Sequence, residues 1–261
     1  MKTDWIDTIV TPDGVKRALG LVPSKLFGDF IPPPNYGDSI VPTSELAAFD
    51  NWPAPLRVLD QGQWNACTYF SSAQALMFAR YQSGQPFVAL DPLFPYLRVT
   101  GGRNVGTNLL QASQVLAADG MPPMGVSPRL DTPKQAKRFR IELSASLTSY
   151  AELLSAVARR RPVVASVYVG PTYNQLDADG AMGISRGTAN HAIFLGGGLK
   201  FSQKHGWMIK HCGSWSTAWG QGGFAWYTEA HYDSAGFGEA YTVDAVVEDL
   251  DDDDNPPKVT E

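Results

Sequence analysis

The sequence predicts an α+β protein of two lobes, one mainly helical and the other an antiparallel sheet or barrel. Three observations carry this. Apolar residues at helical spacing fall mainly between residues 66 and 160, and β-branched and aromatic runs separated by Gly-rich turns follow. The chain of 261 residues is long enough for one large domain or two small ones, and no internal repeat interrupts the order.

Residues 1–48 read as a lead-in arm. A short helix is expected around "DGVKRALGLV", and "FGDFIPPPNYGDSIVPTS" carries Pro and Gly that forbid regular structure. From "FDNWPAPLRVLDQGQ" the chain is extended and turn-rich up to Asn65. Ala66 to Tyr81 then places Phe70, Ala73, Leu76, Met77 and Arg80 at the spacing of an amphipathic helix. A second helix is predicted in "TNLLQASQVLAADG", where Leu109, Leu110, Ala112, Val115 and Leu116 share a broad face and Gly120 stops it. A third is "LTSYAELLSAVARR", after which "RPVVASVYVG" reads as a strand. Further strands are predicted in "HAIFLGGGLK", "GWMIKHC" and "GGFAWYT". The domain then spans 49–245, with a helical lobe over about 60–150 and a β lobe over about 160–245. Residues 246–261, dominated by "EDLDDDDNPPKVTE", read as a solvated acidic tail with no spaced ligand pattern for a cation.

Composition excludes several classes. A net charge of −5 offers no basic surface for nucleic acid beyond a local patch at Arg159-Arg160-Arg161. No window approaches the roughly 18 continuous apolar residues of a membrane span. "MKTDWIDTIVTPDG" lacks the apolar core of a signal peptide, so a cytoplasmic location is expected, with delivery by a non-classical secretion or phage route left open. Two cysteines, Cys67 and Cys212, cannot build a disulfide framework, although one bridge between them stays open.

Cys67 sits where a helix begins, and the positive end of a helix dipole favours the thiolate. Free cysteine is also among the most buried residue types, so position alone favours packing. A thiol nucleophile needs a histidine for its proton, a group to orient that histidine and donors for an oxyanion. The chain has four histidines, His191, His205, His211 and His231, and His191 opens the apolar strand "NHAIFLGGG". Gln61, six residues before Cys67, has an amide that could be directed at an oxyanion beside the Cys67 backbone N–H; its bland reading is a turn residue in "DQGQ". Cys67, Cys212, His191 and His211 have the types of zinc ligands but no CxxC or HxxxH spacing, so no metal and no cofactor is expected.

Taken together these segments resemble the papain-like cysteine peptidases, from about Phe49 to Tyr227. "FDNWPAPLRVLDQGQWNACTYFSSAQAL" is similar to the family's mature start, with the Gln-to-Cys interval kept, and "NVGTNLLQASQVLAADGMPP" is similar to the segment whose glycine binds extended substrate backbone. "NHAIFLGGG" and "GWMIKHCGSWSTAWGQGGFAWY" resemble the catalytic-histidine strand and the Trp-rich turn, with Trp215, Trp219-Gly220 and Gly223-Phe224 as the specific pattern. The middle segments are closer in style to bacterial or viral members. The resemblance implies Cys67 as nucleophile, His191 as base and later acid, Gln61 as oxyanion donor, and Gly106, Ala192 and Trp215 as substrate-binding positions, Trp215 also covering the histidine. It implies a papain-like two-lobed fold with the site in the cleft, a peptide or protein substrate, and endo- or exopeptidase activity.

The chain departs from that family in three places. "WNACT" lacks the first cysteine of the usual loop disulfide. The orienting Asn is missing: counting from the strand puts His211 in its place, and counting back from Trp215 puts Gly213 there. Asn190 is a further candidate, although its place beside His191 in a strand aims it at the other face. No inhibitory pro-segment of the usual helical kind is visible in residues 1–48, so either the arm blocks the cleft another way or location controls the protein. Two other functions stay open, a decayed papain-fold module that binds peptides or proteins, and an acyl transferase using the same Cys/His pair.

Overall fold

A computed structural model describes residues 8–23, 33–125, 138–235 and 238–249. At its centre lies α1 (Cys67–Gln82), with α2 (Leu93–Thr100) and α3 (Leu109–Ala118) beside it. The expected apolar stripe on α1 proves too narrow. Every residue from Cys67 to Phe78 is buried, because the helix is packed between its partner helices and the sheet. Small residues allow the close approach, and their hydroxyls are internally satisfied: Ser71 Oγ lies 2.8 Å from the carbonyls of Cys67 and Ala192, and Ser72 Oγ bonds the Thr68 carbonyl.

The helices at "TNLLQASQVLAADG" and "LTSYAELLSAVARR" form as predicted. Asn108 Oδ1 caps α3 by accepting from Gln111 N–H at 2.7 Å, and a Ser149/Glu152 capping box starts α4 (Tyr150–Ala158). Sequence periodicity misses α2, whose eight residues are too few for a periodic pattern and whose Pro95 is tolerated only because it lies in the first turn.

Seven antiparallel strands make one open sheet among the described residues. Its order is β5 (Ser146–Leu147), β10 (Ala240–Thr242), β6 (Val163–Val167), β7 (His191–Ser202), β8 (Gly206–Cys212) and β9 (Phe224–Tyr227), with β3 (Phe49–Asp50) also paired to β7. The β7–β8 register shifts between Leu195 and Leu199, at Gly196-Gly197-Gly198. Gly197 takes φ +75°, and its carbonyl accepts from Asn51 N–H, which brings β3 onto the same strand. One core lies around α1 and a second beneath the sheet, between α4 and the Trp215/Trp219 turn.

Two expectations are corrected. The segment "DGVKRALGLV" is not helical: β1 (Thr8–Val10) and β2 (Lys16–Ala18) form an antiparallel hairpin, and Gly14 and Gly20 adopt left-handed φ values of +78° and +68°. Residues 246–249, grouped by composition with the acidic tail, belong to β11 (Ala245–Asp249), which pairs with β4 (Arg138–Leu143). The β-branched pair Val246-Val247 favours an extended edge ribbon despite the charges that follow it. Residues 250–261 lie outside the described residues. α5 (Glu229–Ser234) completes the elements. Both cysteines are free and buried.

Candidate active site

Cys67 is the first residue of α1 and is fully buried. Ala66 stands at the N-cap with no side-chain bond, so the field of the first turn is left to whatever lies before the thiol. The loop leading into the helix is tied by Asn104, whose Oδ1 accepts from Asn65 N–H at 2.7 Å and whose amide donates to the Gln63 carbonyl at 2.9 Å.

Gln61 is buried and its orientation is fixed. Its N–H donates to the Ser214 carbonyl at 2.8 Å, and the Ser214 hydroxyl donates to Gln61 Oε1 at 2.5 Å. With its oxygen held, Nε2 faces the carbonyls of Ala18 and Trp64, each at 2.9 Å. The amide is therefore a donor aimed at a position where a carbonyl oxygen sits, as an oxyanion donor must be.

His191 opens β7, opposite Val167, and is buried. The Trp215 ring covers it at 4.5 Å between centroids and 31° between planes. Nδ1 of His191 lies 3.3 Å from the Leu19 carbonyl oxygen, and Cys67 Sγ lies 2.6 Å from that same oxygen. The fold thus brings Gln61 and Cys67, His191 and Trp215 to one place from three separate stretches of chain.

No protein-family model matches the chain, and no curated protein matches it. Solved structures do. Xylellain, a cysteine protease from Xylella fastidiosa, aligns with a TM-score of 0.67 at 17% identity, over 92% of this chain and 98% of its own. The cysteine protease and lectin-like domains of Cwp84 from Clostridium difficile give a TM-score of 0.67 at 17% identity, covering 90% and 57%. Digestive procathepsin L 3 of Tenebrio molitor gives 0.61 at 17% identity, covering 82% and 73%. The chain has the papain-like fold.

Within this papain-like frame, the three positions weighed for the missing Asn, His211, Gly213 and Asn190, are engaged elsewhere or have no room for a side chain. His211 Nδ1 lies 3.3 Å from the Phe194 carbonyl and Nε2 lies 3.1 Å from the Tyr173 hydroxyl. A carbonyl only accepts, so Nδ1 carries the proton and Nε2 accepts from Tyr173, which uses both nitrogens. Burial pulls the His211 pKa down to about 3 and keeps the ring neutral. At Gly213 a Cβ would lie 2.8 Å from the Trp219 ring, so no side chain fits there. The Asn190 amide bonds Val169 N–H at 2.8 Å and the Val169 carbonyl at 3.1 Å. His191 is steadied instead by its strand and by the face of Trp215.

Residues 18–22 of the arm occupy the papain-like cleft. After Ala18 and Leu19, Leu21 N–H donates to the Asn190 carbonyl at 3.1 Å, Val22 N–H to the Thr107 carbonyl at 2.9 Å, and Thr107 N–H to the Gly20 carbonyl at 2.9 Å. Gly106 permits this approach, since a Cβ there would meet the Gly20 carbonyl at 2.9 Å. Leu19 and Leu21 are both buried, Leu19 in the core that holds Tyr173 and Trp215, and Leu21 in the core that holds Cys67 and Ala192. Ala192 is fully buried, and its backbone contacts the Cys67 thiol.

Under this cover Cys67 and His191 are both neutral. Desolvation pushes the Cys67 thiol up to about 12, against opposing backbone contacts, and pulls His191 down to about 4. Geometry agrees. The Leu19 oxygen receives both the thiol and Nδ1–H, so Nδ1 already carries a proton and has no lone pair for the proton of Cys67.

Sequence reasoning missed Ser214, Asn104, Thr107 and the arm residues. Ser214 stands directly before the Trp215 that the motif marks, and that adjacency was its only signal. One acidic group apart from the cleft, Asp177 with Asp179 and His205, has ligand types for a cation. Its Asp177 Oδ2 is already held by Lys204 Nζ and His205 Nε2, each at 2.7 Å.

Proposed function

We propose that the chain is a latent thiol peptidase that hydrolyses peptide bonds once residues 16–22 leave the cleft. The observation that supports this best is the convergence of Cys67 and His191 on one carbonyl oxygen, with Gln61 Nε2 on the carbonyl of the preceding residue. A peptide backbone, here the chain's own, is what this site accommodates.

With the arm out, water reaches the pair and the thiol pKa falls. His191 then takes the Cys67 proton, and the thiolate attacks the substrate carbonyl carbon. The resulting oxyanion is received by Gln61 Nε2 and by the uncapped first turn of α1. As the C–N bond breaks, His191 hands its proton to the leaving amine and a thioester remains. Water, deprotonated by His191, attacks that thioester and releases the acid and the thiol. Missing an orienting amide lowers the rate without removing this chemistry, since nucleophile, base and donor still act.

The test is labelling with an epoxysuccinyl inhibitor after arm displacement, alongside cleavage of an extended peptide library. Labelling at Cys67 is expected, with turnover falling by at least about 10³-fold in Cys67→Ala and His191→Ala. Neither labelling nor cleavage by folded, arm-displaced protein would sink the proposal. A second reading, a decayed papain-fold module that binds peptides, is favoured by the absence of an orienting side chain at Gly213. It predicts peptide affinity unchanged in Cys67→Ala and no turnover at all.

A further inference from the structure

The arm is a ligand already docked in the cleft, so the side chains it buries report what the cleft accepts. One of them is charged. Arg17 stands one residue before the carbonyl held by Gln61 Nε2, and its side chain is only 3% exposed. Its guanidinium is bonded by Asp60 Oδ1, by Asp13 Oδ2 at 2.9 Å and by Thr11 Oγ1 at 3.4 Å. Asp13 and Thr11 belong to the arm's own hairpin turn and leave with it. Asp60 belongs to the cleft wall, where Gly62 N–H fixes its carboxylate by donating to Oδ1 at 2.8 Å.

The position of Asp60 decides which half of a substrate it meets. Its backbone bridges to Trp215, the ring over His191, and its neighbour is Gln61. His191 delivers the proton to the leaving amine, so the wall beside Trp215 borders the leaving side. The opposite end of the arm, Gly20 to Val22, makes its main-chain bonds to Thr107 and Asn190, and none of them is to Asp60. Once the arm departs, a carboxylate that faced a buried guanidinium is left without it.

We infer that Asp60 is a specificity-determining residue that selects substrates with an Arg or Lys on the leaving-group side of the cut bond. The inference rests on the peptidase reading. It is electrostatic in origin: a positioned carboxylate at the cleft wall rewards a cation and disfavours an anion.

Full-length protein with the arm displaced provides the test. Gly20→Ala serves, because its φ is +68° and an added Cβ would lie 2.5 Å from the Asn65 backbone. Leu19→Asp, which forces a carboxylate into a buried place, is the second route if the first fails to fold. A peptide library is digested and residue frequencies are counted on both sides of each cut. Enrichment of Arg and Lys at one leaving-side position is expected, with kcat/KM for the basic residue over its Gln analogue about tenfold, reduced to about parity in Asp60→Asn and inverted toward acidic residues in Asp60→Lys. Cleavage with no basic preference, or with one that survives Asp60→Asn, overturns the assignment while leaving the peptidase reading intact. If nothing is cleaved, the peptidase reading fails and binding still decides the role of Asp60. The synthetic segment 16–22 should bind Gly20→Ala/Cys67→Ala protein about tenfold more tightly than its Arg17→Gln analogue, and equal affinities would refute it.

Discussion

The two walls of the cleft are held in place by different physics. On the α1 wall, Gln61 makes a backbone bond and a side-chain bond to Ser214, and the loop leading to Cys67 is tied through Asn104. On the sheet wall, His191 has no orienting amide among the described residues, and the Trp215 face and strand pairing hold it. Directional bonds fix a donor's aim, whereas packing fixes a ring's plane and leaves its tautomer free. The arm exploits that freedom. A single carbonyl, that of Leu19, sets the His191 proton on Nδ1 and accepts from the thiol.

The largest effect should therefore come from removing that carbonyl. A thiol held near a pKa of about 12 has only about 10⁻⁵ of its population as thiolate at pH 7, against about 10⁻² to 10⁻¹ for an ordinary thiol. Gly20→Ala should raise the rate of Cys67 alkylation by a small neutral reagent about 10³-fold. Mass mapping must place the label on Cys67, because Cys212 stays buried with Gln74 Nε2 at 3.0 Å. An unchanged rate would mean that the arm does not control the pair.

Acid comes next, and it bears on the packed wall. His191, His211 and His231 are buried, and desolvation lowers their pKa values to about 4, 3 and 4 from an unfolded value near 6.5. Their neutral forms cost nothing above pH 6.5. Below it the unfolded chain takes up protons that the folded chain refuses, so stability falls by about 1.4 kcal/mol per pH unit for each histidine. The loss continues toward pH 4 for His191 and His231 and toward pH 3 for His211. Urea midpoints between pH 7 and 5 should show the decline. In Gly20→Ala the slope should be shallower by one histidine, since an uncovered His191 no longer resists protonation. An equal slope in both proteins would place the acid sensitivity elsewhere.

What could be read in advance follows the same division. The helices at 109–118 and 150–158, the strands at 191–202, 206–212 and 224–227, and the places of Cys67 and His191 were legible because each rests on local periodicity or on a short motif. The arm was misread because Val15 to Val22 has a composition that suits a helix, and only contact with Asn190, Thr107 and Gln61 makes the extended form better. α1 looked amphipathic because the sequence shows its apolar stripe, while its small serines reveal their burial only when a sheet lies against them. The residue that holds Gln61 was unreadable for a related reason. Ser214 is separated from Gln61 by 153 positions, and no spacing rule spans that distance.

That Ser214 bond is where the comparison can be sharpened most finely, because it reaches across from the Trp215 turn to the wall of Gln61. Ser214→Ala removes the donor on Oε1 but leaves the bond from Gln61 N–H to the residue 214 carbonyl. The amide should then lose its aim and not its place. In arm-displaced protein kcat should fall by about 10²-fold, the low end of the range for losing one oxyanion donor, while the alkylation rate of Cys67 stays the same because the Cys67–His191 pair is untouched. Gln61→Ala should cost no less, and Ser214→Ala added to it should cost almost nothing further, since both remove one donor. Additive losses in the double variant would mean that Ser214 acts through the Trp215 turn, and the two walls would then be less independent than their hydrogen bonds imply.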